Sequence, residues 1–425
     1  MPFSLHNLPG SGPRPGPREV IALLAGLMAL NAFAIDAMIP ALPDIGRSLH
    51  VAHENDRQLV VVSYFLGFAS TQLFWGPLAD RFGRKPILAA GVTLYVLFAL
   101  LCAFAWTFAL LIAGRVAMGA SAAVTRVLVI AMVRDLFEGE AMARIMSLVF
   151  MVFMVVPVLA PSIGQLILAF GPWRAIFLLL AAYAVIMLTW AWLRLPETLH
   201  PEYRRSLDVR EIASAIGATV KEPLSRGYTL ALTVTFGALV AYISSIQQIV
   251  FEAFDAPNVL GIVFGAIAAP MALASWTNAR VVGRFGLRRV GHGAAVAFVI
   301  VTLTHLAVAL AGFESLASFI VLQAMTMVCF SFASSNLGTL AMDRMAAIAG
   351  TASSVQGVMG TIGAAIIGYT IGQQFDGTVL PFLSGMAACA VIGLTIIMLT
   401  EPKRLFAGPT AGGVQGDPHA PPVEV

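Results

Sequence analysis

Apolar residues run along this chain in stretches of about 20, the length a helix needs to cross a hydrocarbon core, and short polar segments separate them. On that scale spans are predicted near 18–40, 57–79, 87–107, 109–133, 141–169 and 173–194, then near 226–251, 259–283, 290–311, 315–338, 345–373 and 378–400. A longer polar stretch, 195–225, parts the first six from the last six. The pattern predicts an all-α polytopic membrane protein with twelve transmembrane helices.

Composition supports the same reading. Hydrophobic residues make up 59% of the 425 and charged residues only 11%, against about 25% charged in soluble domains. No soluble fold of this length hides so much apolar surface, so the lipid bilayer is the expected solvent, and a nucleic-acid partner is not expected. Cys102, Cys329 and Cys389 lie singly inside apolar stretches and suggest neither a disulfide framework nor a metal site.

Charge placement tests the count. Lys and Arg favour cytoplasmic loops. With the N-terminus inside, twenty of the 25 fall on the inner side; Arg47, Arg57 and Arg174 fall outside, and Arg115 and Arg126 fall within a span. One wrongly split helix would scramble that alternation. The expected organisation is a cytoplasmic tail (1–17), a six-helix bundle (18–194), a central cytoplasmic loop (195–225), a second bundle (226–401) and a disordered tail (402–425) rich in Gly and Pro. The first apolar stretch is too long for a cleaved signal peptide and reads as an anchor.

The two halves repeat. Gly76-Pro77-Leu78-Ala79-Asp80-Arg81-Phe82-Gly83-Arg84-Lys85-Pro86 follows the second span, and Gly283-Arg284-Phe285-Gly286-Leu287-Arg288-Arg289 follows the eighth. The shared Arg-Phe-Gly is offset by six helices, giving two pseudo-symmetric six-helix bundles related in parallel. That is a recognised transporter plan, with the substrate site between the halves near the membrane midplane.

On these residues the chain resembles the major facilitator superfamily. Gly76, Asp80, Arg81, Gly83, Arg84 and Lys85 fit its Gly-x-x-x-Asp-Arg-x-Gly-Arg-Arg/Lys signature. Arg115-Val-Ala-Met-Gly119 is similar to the Arg-x-x-x-Gly of proton-coupled members. Pro157 and Ala160-Pro161-Ser-Ile-Gly164-Gln165 resemble the antiporter motif, with Ala and Gln in place of two of its glycines. Asp36-Ala-Met-Ile-Pro40-Ala-Leu-Pro43, Arg134-Asp135-Leu136-Phe137 and Gly171-Pro-Trp173-Arg174 add likeness to the Bcr/CflA multidrug exporters. The resemblance implies a conformational latch at Asp80 and its neighbours, proton coupling, no cofactor or metal, a monomer, and a bacterial inner membrane with both termini cytoplasmic.

The charged residues inside spans are the candidate chemistry. Asp36 is the one carboxylate placed within a span, where an acid costs roughly 2.5–3.5 kcal/mol; it reads as marking a proton or substrate path or as a structural acid near the outer end, followed by two prolines and partly in water. It lies about 27 Å along the helix from Arg18, hence in the outer half. Arg115 is its expected partner. Gly119, Ala122 and Arg126 share the Arg115 face, which points to a cavity; Arg126 reads as a substrate contact or as a snorkelling cation. Asn31, Tyr64, Tyr242, Gln247, Gln248 and Asn336 are cavity candidates that could equally make ordinary interhelical hydrogen bonds. His305 reads as a satisfied histidine, and Gly368 and Gly372 as close-packing positions. The expected function is proton-coupled export of small amphipathic compounds, with export of a metabolite such as an amino acid or sugar as the alternative. A membrane-embedded enzyme or receptor is the remote alternative: no HExxH, GxSxG or Walker pattern is present.

Overall fold

The computed structural model describes residues 16–137, 139–199, 202, 209–345, 348–402 and 405–406. The predicted tails, through residue 15 and beyond 406, and the middle of the central loop lie outside the described residues. The first half contains α1 (Pro17–Asp36), the short α2 (Leu42–Ser48), α3 (Leu59–Phe82), α4 (Arg84–Ala103), α5 (Phe108–Leu136), α6 (Gly139–Phe170) and α7 (Arg174–Arg194). A connecting helix, α8 (Val209–Lys221), follows; the polar stretch between the halves is therefore partly helical. The second half contains α9 (Pro223–Gln248), α10 (Leu260–Phe285), α11 (Leu287–Leu310), α12 (Leu316–Ala341), α13 (Ala349–Gly372) and α14 (Leu380–Thr400). Eleven helices among the described residues are long and apolar enough to cross a membrane. The twelfth, α6, runs unbroken for 32 residues.

Span ends shift by a few residues, and two shifts matter. The first span stops at Asp36 and gives way to a tight 3-10 turn, Ile39–Ala41. Pro40 explains the break: its ring clashes with the carbonyl four residues back and supplies no N–H to it. The seventh span runs through a π turn, Ile249–Ala253, which brings Glu252 to its outer end.

The repeat is visible in the backbone. Each half turns from its second to its third long helix at one glycine with left-handed φ, Gly83 at 103° and Gly286 at 83°. A side chain there would be strained. In the first half, α3 and α5 cross so closely that a Cβ on Gly67 would sit 1.9 Å from the Val116 carbonyl oxygen, and one on Gly119 2.1 Å from that of Tyr64. Neither backbone can yield locally. Gly119→Ala is expected to cost about 1–3 kcal/mol by overpacking and to lower the melting temperature of the purified protein. Gly76→Ala, whose Cβ would meet only Val127 at 3.7 Å, is expected to leave it unchanged. Equal melting of the two variants would contradict this crossing.

The halves meet along two seams, α3 against α13 and α6 against α10. Contacts fill the outer side of both. Gly372 faces Gln58, and Gly357 faces Gln72 further in; Gly261 faces Ser162 and Gln165, and Gly265 faces Val158. Toward the inner ends, Gly76 meets only its own half, and nothing lies within 4 Å of a Cβ built on Gly350. Among the described residues, every hydrogen bond and ion pair between the halves lies on the outer side, so the bundle is closed there and parted toward the inner side.

Candidate functional site

Asp36 ends α1 and is 3% exposed, and its Oδ1 has no hydrogen-bond partner. The next residue packs tightly on α6: a Cβ on Gly164 would lie 2.0 Å from the Ala37 carbonyl oxygen and 3.0 Å from the Pro40 ring. Three residues on, Ile39 buries itself in the core of the second half, with Tyr242, Ile246 and Leu260. Asp36 thus sits where the first half plugs into the second, within electrostatic range of Tyr242. The Tyr242 hydroxyl is also buried without a partner. Pro157 and Pro161 lie inside α6, on the same element as Gly164.

The structure does not pair Asp36 with Arg115, which corrects the sequence-based expectation. Arg115 is fully buried. Its Nε donates to the Val60 carbonyl at 2.8 Å and its Nη1 to the Ala34 carbonyl at 3.0 Å, and the guanidinium lies 4.6 Å from the Tyr64 ring centroid. Ala34 is in the last turn of α1, where carbonyls lack intrahelical donors and a cation complements the helix dipole. Because α1 unwinds after Asp36, the carboxylate turns to the seam while Arg115 holds the turn before it.

The polar candidates divide by position. Tyr64 donates to Asn31 Oδ1 at 3.0 Å, and Asn31 donates to Thr125 at 2.7 Å, a buried chain joining α3, α1 and α5. Asn336 donates to Asn278 at 2.9 Å, joining α12 to α10. In this state these residues hold helices together rather than line a cavity. Gln247 is fully buried with neither amide atom partnered. Gln248 belongs to a polar gate at the outer end of the seam. There Gln58 donates to Gln248 and, at 3.1 Å, to the Gly372 carbonyl. Gln248 donates to Asn55 Oδ1 at 2.8 Å, and Asn55 donates to the carbonyls of Gln373 and Phe375 at 3.1 and 3.0 Å. Arg57 meets Glu252 at 3.2 Å, an ion pair between the halves. On the other seam Gln165 donates to the Pro257 carbonyl at 3.1 Å and accepts from the Gly261 N–H at 3.0 Å. Arg57, Gln58 and Glu252 escaped the sequence reading; their one signal was Arg57, among the few outer cations.

Among the described residues, the predicted latch residues make their ion pairs and hydrogen bonds within their own half. Asp80 pairs with Arg84 of its own half at 2.6 Å, and Arg84 also meets Asp135 at 3.2 Å. The Glu197 carboxylate caps the start of α4, accepting from the backbone N–H of Arg84 at 2.9 Å and of Lys85 at 3.2 Å; an anion is stabilised at a helix N-terminus. Gly83 leaves room for it. Arg81 stacks on Phe82 and Lys85 on Trp192. The second half repeats the device: Arg288 holds Glu401 at 2.9 Å and Asp343 at 3.2 Å. Burial pushes the Glu401 carboxyl up, but hydrogen bonds from Arg288 and Tyr228 outweigh it and hold it below the ordinary value.

Arg126 stands apart. It is exposed although it lies about 15 Å from the inner end of α5 at 1.5 Å per residue, so this face of α5 is open on the inner side.

A Major Facilitator Superfamily profile matches residues 24–368. A Haemophilus influenzae "Bicyclomycin resistance protein homolog" is 30% identical over 91% of this chain and 96% of its own length. An "Uncharacterized MFS-type transporter YdgK" of Bacillus subtilis is 29% identical over 94% of this chain and 98% of its own. The "Multidrug resistance protein MdtL" of Escherichia coli is 27% identical over 90% and 95%. Among solved structures, the human organic anion transporter MFSD10 superposes with a TM-score of 0.62 at 18% identity, covering 91% of this chain and 99% of that one.

Proposed function

As this chain belongs to the Major Facilitator Superfamily, a family of transporters rather than enzymes, we propose that it exports small amphipathic compounds across a bacterial inner membrane in exchange for protons. The protein works as a monomer with both termini in the cytoplasm. The names of the Haemophilus and Escherichia relatives support the substrate class. One observation carries the coupling: a buried carboxylate, Asp36, has an unpartnered oxygen at the seam that alternating access must open and close. Substrate enters the inner cleft while the outer gate is shut. Rocking of the halves opens the Gln58 and Arg57 contacts and gives Asp36 access to outer water. Proton uptake there releases substrate, and proton loss to the inside resets the site. Arg115 fixes the backbone turn that presents Asp36. The Asp80 cluster closes across the halves in the opposite state.

One charge crossing 100 mV supplies about 2.3 kcal/mol, a gradient of about forty-fold at 1.4 kcal/mol per tenfold. A monovalent cation exchanged for one proton moves no net charge and draws on the pH gradient alone. Neutral and zwitterionic substrates draw on both. In energised inside-out vesicles, amphipathic dyes are expected to accumulate and to be released by an uncoupler. Accumulation that an uncoupler leaves untouched would sink proton coupling, and failure with every amphiphile would favour metabolite export.

A further inference from the structure

Arg126 differs from every other arginine near the middle of the bundle. On α5 it shares a face with Arg115 and Gly119. That face lies between α1, which supplies the Ala34 carbonyl and Asn31, and α3, which supplies Val60 and Tyr64. This is the wall turned toward the second half. Arg115, three turns outward, is sealed and donates to two carbonyls, whereas Arg126 is exposed. Among the described residues it makes no ion pair or hydrogen bond, and its one neighbour of note is the Phe68 ring, 6.0 Å from the guanidinium carbon. A cation with no counter-ion on a cleft wall is available to a ligand.

The second half carries an aromatic pair between α9 and α12. On α9, Leu232 and Phe236 turn toward α12, and Thr233 and Gly237 toward α13. Phe236 therefore occupies the α9 face between those helices. It is 37% exposed and meets Phe330 edge-on at 5.3 Å. Arg126 and Phe236 lie about 15 and 20 Å from the inner ends of their helices at 1.5 Å per residue, so they stand at similar depth. The acid that could offset Arg126 is absent from the described walls: Asp36 is shut behind the outer seam, and Asp80 and Asp135 are held by Arg84.

We infer that the inner cleft takes amphiphiles with an acidic head group, a carboxylate above all, which Arg126 anchors while the apolar body lies against Phe236. Zwitterions qualify through their acidic end, and purely cationic amphiphiles are disfavoured. This rests on the export reading and narrows it. The planar guanidinium matches a carboxylate with two parallel hydrogen bonds, and the cleft walls strengthen the attraction over that in bulk water. It also suits the direction of transport, because an anion leaving a negative interior is driven by the membrane potential as well as by the exchanged proton.

Three probes with one aromatic body separate the possibilities: pyrenebutyrate, pyrenebutanol and pyrenebutyl-trimethylammonium, titrated onto the purified full-length protein. The wild type is expected to bind the carboxylate about tenfold or more tighter than the ammonium, as one charge-assisted pair supplies. Arg126→Gln should erase that preference, leaving pyrenebutanol affinity unchanged, which also shows that the variant is folded. Arg126→Lys should keep a reduced preference, and Arg126→Glu should invert it. Equal binding of all three probes by the wild type, or an unchanged preference in Arg126→Gln, would overturn the assignment to Arg126 and leave amphiphile export standing. Saturable binding of none of them by the wild type would overturn both.

Discussion

Asp36→Asn is expected to abolish uncoupler-sensitive uptake into inside-out vesicles, by on the order of a hundredfold, while amphiphile binding persists. The size follows from what else could carry the proton. Among the described residues the other acids near the bundle are engaged: Glu19 with Arg194, Asp80 and Asp135 with Arg84, and Glu252 with Arg57. Glu314, with its side chain 8% exposed, leans on His305 at the outer rim; Asp36 is the one acid among the described residues that is buried as a whole residue and has no cation or histidine beside it. Asn keeps its shape and removes the titrating oxygen, and neither Gly164 nor Pro40 has to move. Loss of binding together with transport would mean that Asp36 contacts substrate or shapes the site. Full uncoupler-sensitive transport by the variant would remove Asp36 from the coupling altogether.

The twelve helices were legible because bilayer thickness imposes one length on every span, and the lateral charge pattern checks the count independently. The halves were legible because Gly83 and Gly286 must be glycines: both take a left-handed φ at the same corner of the repeat. Three things were hidden. α8 carries too many polar residues to stand out beside the spans. The direction of Asp36 depends on Pro40 ending α1 one turn early, so spacing from Arg115 gave the right neighbourhood and the wrong partner. The outer gate was hidden for a different reason. Gln58 and Gln248 are 190 residues apart, and Asn55 and Gln373 are 318 apart. Neutral amides of this kind have no local signature, and their importance comes entirely from where the two halves touch. Arg126 was found as a cavity candidate, but its exposure, which separates a binding cation from a snorkelling one, is a tertiary property.

Gln58→Leu is expected to shift the protein toward the state that opens outward, by roughly tenfold or more. Gln58 is fully buried and serves both Gln248 and the Gly372 carbonyl. A leucine fits the volume, but it leaves polar groups of both helices unpaired in the closed gate, at about 1–3 kcal/mol each. Opening the gate returns those groups to water, so the cost falls on the closed state and becomes a population shift at 1.4 kcal/mol per tenfold. Glu252→Gln should act the same way but less, because Glu252 is 30% exposed and Arg57 keeps Glu54 as a second partner. The readout is a cysteine at Ile39, which lies in the seam beside Asp36 and is fully buried while the gate is shut. In an Ile39→Cys background with Cys102, Cys329 and Cys389 replaced by serine, a membrane-impermeant thiol reagent reaches that position only through the outer side. Gln58→Leu should speed its modification in right-side-out vesicles by the population shift, and Glu252→Gln by less. An added amphiphile that prefers the inner cleft should slow it again, since a ligand bound to one state withdraws population from the other. Labelling rates unchanged by Gln58→Leu would show that the amides do not hold the gate. A rate that rises without any response to ligand would mean the seam has loosened locally, with no change in the balance of the two states.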